Sequence, residues 1–262
     1  MNELLMIGLA GFATGITTVL FGFGGGFVVV PFVYQLMVQQ PLLAEHAMHI
    51  AVATSTAVMI FNAGWASYQN WRAGKLHKAT LLPLIGFIAL GAVIGSWLAG
   101  AMSDMWVRGL FMVYMLVTIA DCLLRKGFLT RAAPRVLSRL TASAGGTLIG
   151  MIAAMLGVGG SVMTVPLLRR HGYAMRDCVS AANPLSLPVA MLGATTYAIS
   201  GGQQIPASGY LGFISLTILL LLVVAGFVGM LFARRCIPAV SDRWHARIYV
   251  LLLCLVLVAI AV

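Results

Sequence analysis

The chain has 262 residues, of which 61% are hydrophobic and only 8% charged, and its mean hydropathy is +1.02. A soluble domain carries about 25% charged residues, so a water-soluble globule is excluded. The net charge of +10 would point to nucleic acid in a soluble protein, but here the basic residues lie in short gaps between apolar runs and mark one side of a membrane.

In chain order the apolar runs are 4–22, 27–38, 49–68, 81–101 and 106–124, then 140–157, 162–168, 179–199, 210–233 and 248–262. The start, Met1-Asn2-Glu3-Leu4, lacks the basic region of a signal peptide, so the first run is expected to be retained. Backbone in lipid must satisfy its own hydrogen bonds, which predicts helices rather than strands throughout. Residues 27–38 reach about 18 Å and 162–168 about 10 Å at the helical rise, against roughly 30 Å of hydrocarbon. Each short run follows a longer one across a glycine cluster, the pattern of a broken-helix hairpin.

The two clusters repeat. Gly22-Phe23-Gly24-Gly25-Gly26, four residues and Pro31 match Gly157-Val158-Gly159-Gly160-Ser161, four residues and Pro166. Gly11 and Gly15 pair with Gly146 and Gly150, Gly64 and Tyr68 with Gly193 and Tyr197, and Ser103-Asp104-Met105-Trp106 with Ser241-Asp242-Arg243-Trp244. The chain therefore reads as an all-α polytopic membrane protein made by duplication. The first repeat is 1–124 (hairpin 4–38, spans 49–68, 81–101 and 106–124). A basic cytoplasmic linker, 125–139, joins it to the second repeat, 140–262 (hairpin 140–168, spans 179–199, 210–233 and 248–262).

Basic residues decide how the hairpins are counted. If each hairpin enters and returns, fifteen of the sixteen Lys and Arg fall on one side, with only Arg108 on the other. That side is cytoplasmic by the positive-inside rule, in an inner membrane with both termini on the opposite side. An odd number of crossings per half makes the halves inverted repeats, as in many secondary transporters. Cys122, Cys178 and Cys236 fall at cytoplasmic ends, where thiols stay reduced, and Cys254 lies in the last run.

Glycine-rich breaks at membrane depth are tolerated only where backbone is buried in protein or lines a wet cavity. The helices beginning at Phe27 and Val162 would aim free N–H groups and positive dipole ends at the midplane, an anion site without a buried Lys or Arg. The candidate ligands are Gly24, Gly25, Gly26 and Phe27 from the first tip and Gly159, Gly160, Ser161 and Val162 from the second. Thr54, Ser55, Asn183 and Ser186 add hydroxyl and amide donors at the same depth, and Pro184 is expected to break its helix. Gly91-xxx-Gly95 and Gly146-xxx-Gly150 read instead as helix-packing surfaces.

The remaining polar groups carry less chemistry. Asp121 four residues before Arg125 reads as an interfacial pair. His46 and His49 lack a third metal ligand, and Gln203 and Gln204 read as solvated loop residues. Trp71, Trp106 and Trp244 read as interfacial anchors. No catalytic set, cofactor motif or nucleotide loop is expected.

The doubled Gly-x-Gly-Gly-(Gly/Ser)-x4-Pro motif, Gly22 to Pro31 and Gly157 to Pro166, together with Thr54-Ser55, resembles the sulfite exporter TauE/SafE family, also called the 4-toluene sulfonate uptake permeases. The resemblance covers nearly the whole chain. It implies transport of small sulfur-containing anions such as sulfite, sulfonates, sulfoacetate or thiosulfate, coupled to a proton or sodium gradient. Where members often carry Thr-Ser in the second half too, this chain has Asn183-Pro184. The expected partners are a small anion and the lipid bilayer, with homo-oligomerisation left open and no nucleic acid. The rival readings are an anion channel and a non-transporting membrane subunit or sensor.

Overall fold

The computed structural model describes residues 2–76, 78–124, 128, 138–201, 205, 208–238 and 240–261. Most of the basic linker, including Arg125, Lys126, Arg131 and Arg135, lies outside the described residues, as do Gln203 and Gln204. Among the described residues the chain forms helices α1 (Asn2–Phe21), α2 (Gly26–Val38), α3 (Ala47–Arg72), α4 (Lys78–Gly100) and α5 (Asp104–Leu124), followed by α6 (Gly146–Leu156), α7 (Ser161–Arg170), α8 (Met175–Ser200), α9 (Leu216–Cys236) and α10 (Asp242–Ala261). Seven of these, α1, α3, α4, α5, α8, α9 and α10, are long and apolar enough to cross a membrane. The protein is thus a polytopic helical membrane protein.

Several helices outrun their apolar cores. α3 and α8 extend to 26 residues each by adding polar ends. Two expectations are corrected. First, residues 210–215 are not helical: strands β1 (Tyr210–Leu211) and β2 (Ile214–Ser215) form a small antiparallel hairpin, turned at Gly212 with φ +60°. Second, α8 is not broken at Pro184; the helix runs on through both Pro184 and Pro188. The carbonyl that Pro184 leaves without its helical donor belongs to Ser180, and the Asn70 amide of α3 approaches it at 3.5 Å. A neighbouring helix supplies what the proline removed.

α3 and α8 are buried along most of their length and form the centre. They run antiparallel: Asn70 meets Ser180, Gly64 faces Leu187 and Gly193 faces Thr56. Around them the halves exchange partners, α1 packing on α9 and α4 on α6. Both pairs run parallel and touch through glycines. A Cβ on Gly15 would lie 2.0 Å from the Gly226 carbonyl oxygen, and one on Gly91 or Gly95 equally close to the carbonyls of Thr147 or Met151. The Gly91 and Gly95 stripe therefore does pack a helix, as small residues in membranes do.

The ends of the hairpins follow from their neighbours. Glu3 at the start of α1 and Met37 near the end of α2 line one cavity with Tyr210, so this hairpin returns to the face from which it enters. In the second half, Gly146 packs on Leu84 and Phe87 near the start of α4, while Arg170 at the end of α7 pairs with Asp121 near the end of α5 at 2.8 Å. Arg125, the partner expected for Asp121, lies outside the described residues. Arg108, near the start of α5, donates to the carbonyls of Ile260 (2.8 Å) and Ala261 (3.1 Å) at the end of α10. Cations favour that end of a helix. Trp71, Trp106 and Trp244 are all exposed, at the end of α3 and the starts of α5 and α10.

Candidate functional site

Both glycine clusters adopt backbone that other residues avoid. Gly22 and Gly24 have φ of +74° and +65°, and their repeat partners Gly157 and Gly159 have +66° and +67°. Only glycine adopts these angles without steric cost. The third position differs: Gly25 is at +111° whereas Gly160 is at −67°. Helices α2 and α7 then begin at Gly26 and Ser161, and neither N-terminus has a side-chain cap. Two sets of helix-start N–H groups are therefore left uncapped by side chains.

The tips meet. A Cβ on Gly26 would lie 2.4 Å from the Gly157 carbonyl oxygen, so the close approach requires glycine. Ser55 donates to the same carbonyl at 2.6 Å. Met59 lies between the tips: its sulfur would be 3.0 Å from a Cβ on Gly26 and 2.9 Å from one on Gly159. Ser186 faces Gly159, where a Cβ would stand 3.0 Å from its hydroxyl oxygen; that hydroxyl donates to Ala182 one turn back at 2.9 Å.

All twelve candidate residues are buried, but they serve different ends. Gly24 lies against Ala63 and Met59, and Gly160 against Ile149. Phe27 stacks on Phe23, centroids 4.1 Å apart. Thr54 does not reach the tips; its hydroxyl accepts the Ser215 N–H at 3.1 Å and holds the start of α9. Val162 loses its helical donor to Pro166, and the Tyr249 hydroxyl donates to its carbonyl at 3.1 Å. The Ser161 hydroxyl has no partner among the described residues. Asn183 donates to the Thr18 carbonyl at 3.4 Å and leaves its amide oxygen unpartnered.

Two residues missed by sequence reasoning join this region. Asn62 is fully buried, and neither its amide nitrogen nor its oxygen has a partner among the described residues. A Cβ on Gly25 would lie 3.1 Å from that nitrogen and 3.1 Å from Thr14, whose hydroxyl is also unpartnered. Leaving such a group unpaired in the interior costs about 1–3 kcal/mol, so the cluster is expensive unless it serves a ligand. The available signal was an amide in the interior of an otherwise apolar span.

Away from the tips, the repeated Ser-Asp-x-Trp motif makes a pair of clasps. Asp104, at the start of α5, accepts the N–H groups of Met48 and, at 3.2 Å, His49 at the start of α3. It also holds the His49 imidazole, whose other nitrogen lies 3.1 Å from the Ala99 carbonyl oxygen. Asp242, at the start of α10, accepts the Met175 N–H at 2.9 Å at the start of α8 and pairs with Arg169. Arg169 also donates to the carbonyls of Phe128 (3.0 Å) and Tyr173 (3.2 Å).

Comparison with known proteins places this architecture. The sequence profile of the sulfite exporter TauE/SafE family matches residues 7–260. A Haemophilus influenzae protein named "Probable membrane transporter protein" is 25% identical over 225 residues, covering 86% of this chain and 83% of its own.

Proposed function

Because this chain belongs to the sulfite exporter TauE/SafE family of membrane transporters, we propose that it moves a small sulfur oxyanion of the sulfite, sulfonate, sulfoacetate or thiosulfate type across the cytoplasmic membrane. The observation that carries this reading is the contact of the two glycine segments, Gly26 against the Gly157 carbonyl that ends α6 with Ser55 donating to it and Met59 between Gly26 and Gly159, which brings near one another the uncapped N-terminal ends of α2 and α7. Each end carries about half a positive charge and presents backbone N–H groups suited to anion oxygens. Asn62, Thr14, Ser161 and Ser186 supply directional contacts around them. The anion is thus recognised without a permanent buried charge, which lets the empty carrier return without a costly ion in the hydrocarbon.

An inverted arrangement of the halves is supported by their exchange of partners and by hairpins whose ends lie at opposite faces. Such halves permit alternating access by rocking one against the other. Both termini then face outward and the basic helix ends face the cytoplasm. A reporter fused to the C-terminus should be active only on the outer side; a cytoplasmic signal contradicts this topology.

Substrate class is tested by thermal unfolding of the purified protein with sulfite, thiosulfate, sulfoacetate, taurine and sulfate. Binding at a hundred times Kd adds about 2.7 kcal/mol to the folded state, so at least one sulfur oxyanion should raise the midpoint by several degrees. Stabilisation by cations or neutral amino acids alone would sink the reading.

A further inference from the structure

On the basic face, the ends of α1, α3, α8 and α9 surround a cavity of about 270 Å³. Arg176 and Arg234 are exposed at its rim and Lys75 is half-buried. Asn70, Ser180 and Asn183 line it at greater depth, with 7%, 6% and 1% exposure. No carboxylate lines the cavity, and among the described residues none of the three cations is in an ion pair. Four other cations on this face are engaged elsewhere. Arg169 and Arg170 pair with aspartates, and Arg72 and Arg247 lie over aromatic rings. Burial, with the positive charges of Arg176 and Arg234, holds the Lys75 ammonium below its ordinary pKa. The three charges are therefore mutually repulsive, and an anion among them relieves that repulsion.

The inner end of the cavity is also unfinished. Asn183 is fully enclosed and keeps an unpartnered amide oxygen. A Cβ on Gly22 would lie 2.9 Å from the Val179 carbonyl oxygen and 3.0 Å from Ala182, which puts the first glycine segment beside the turn of α8 that carries Asn183. We propose that this cavity is a second anion-binding subsite, a vestibule in which Lys75, Arg176 and Arg234 hold a sulfur oxyanion at the basic-side mouth, with Asn183 at the boundary to the helix tips. The identity of the anion rests on the transport reading; the anion selectivity of the vestibule does not. A cleft lined by one sign of charge focuses field and raises the local concentration of its counter-ion.

The test uses full-length protein in which Cys236, the exposed thiol of the basic face, is replaced by Ser and a single new cysteine is placed at Asn70. Rates of modification by sulfonatoethyl and trimethylammonioethyl methanethiosulfonate are compared, with the reaction of the background protein subtracted. The anion-over-cation rate ratio should fall about ten-fold or more when Lys75→Gln, Arg176→Gln and Arg234→Gln are combined, and should also fall with added salt. Ile237→Cys, on the wall of the same cavity, serves if Asn70→Cys does not fold. In proteoliposomes the triple variant should raise KM for thiosulfate several-fold with little change in kcat. A rate ratio unchanged by the triple substitution overturns the vestibule. A ratio that falls as expected, in a protein that transports no sulfur anion, upholds the subsite and overturns the transport reading instead.

Discussion

Asp104 and Asp242 tie corresponding helices together at opposite ends of the molecule, and the side chain held beside each is different. At the α3 end the partner is His49, packed under Phe213 with centroids 5.2 Å apart and near Tyr197 at 6.4 Å. At the α8 end it is Arg169, only 1% exposed, whose Nε and Nη1 also donate to two backbone carbonyls. The backbone tie is common to both ends, while the side chain beside the aspartate differs. One end holds an imidazole under aromatic rings; the other stands near a cavity whose lining includes Lys75, Arg176 and Arg234, none of them in an ion pair among the described residues.

The two clasps can be separated by substitution. Asp242→Ala should have the largest effect, about 3 kcal/mol of lost stability. That is the low end for breaking a buried pair, because Asp242 is itself 41% exposed. Equilibrium unfolding in mixed micelles reads it, and replacing Arg169 by Met in the same chain should recover much of the loss. A loss below about 1 kcal/mol would mean that Arg169 is held by its carbonyls alone.

Next, Gly26→Ala should cost about 1–3 kcal/mol by overpacking the Gly157 carbonyl. Gly109→Ala, inside α5 with nothing within 4 Å of the added Cβ, should cost nothing and raise stability by up to about 1 kcal/mol. Equal effects in the two variants would remove the distinction between tip and surface glycines. His49→Leu should cost about 1.5–2 kcal/mol, the value of a hydrogen bond to a charged group, and should leave the α8 end intact. Hydrogen exchange at Met48 and Met175 distinguishes local from shared loosening. The smallest change is Tyr249→Phe, about 1 kcal/mol for the Val162 carbonyl left by Pro166. The matching position of the first half already carries Phe111, so the effect should be confined to α7.

Features set by local backbone demands were legible in the sequence. Positive φ at Gly22, Gly24, Gly157 and Gly159 leaves a glycine signature, while the Gly91 and Gly146 stripes marked packing surfaces without naming the helices they meet. The φ restrictions act within a few residues, so the glycine pattern that encodes them can be read. What depended on distant partners could not. α8 continues through Pro184 because Asn70, 110 positions away, approaches the freed carbonyl. Thr54 turns to the start of α9 because the Ser215 N–H lies there. Asn62 carried no motif at all, and only its enclosure beside Gly25 and Thr14 marks it out. The Ser-Asp-x-Trp repeat was visible as a pattern, but the capping of α3 and α8 was not, since the capped N–H groups lie more than fifty positions away.

Uptake of radiolabelled sulfite and thiosulfate into proteoliposomes, comparing the wild-type chain with Gly26→Ala and Gly109→Ala, tests the joined helix tips most directly. Saturable uptake of at least one of these anions by the wild type and by Gly109→Ala, abolished in a folded Gly26→Ala protein, is the expected result. Uptake that survives Gly26→Ala at the wild-type rate, or a wild-type protein that moves neither anion, would contradict an oxyanion carrier built on the two glycine tips.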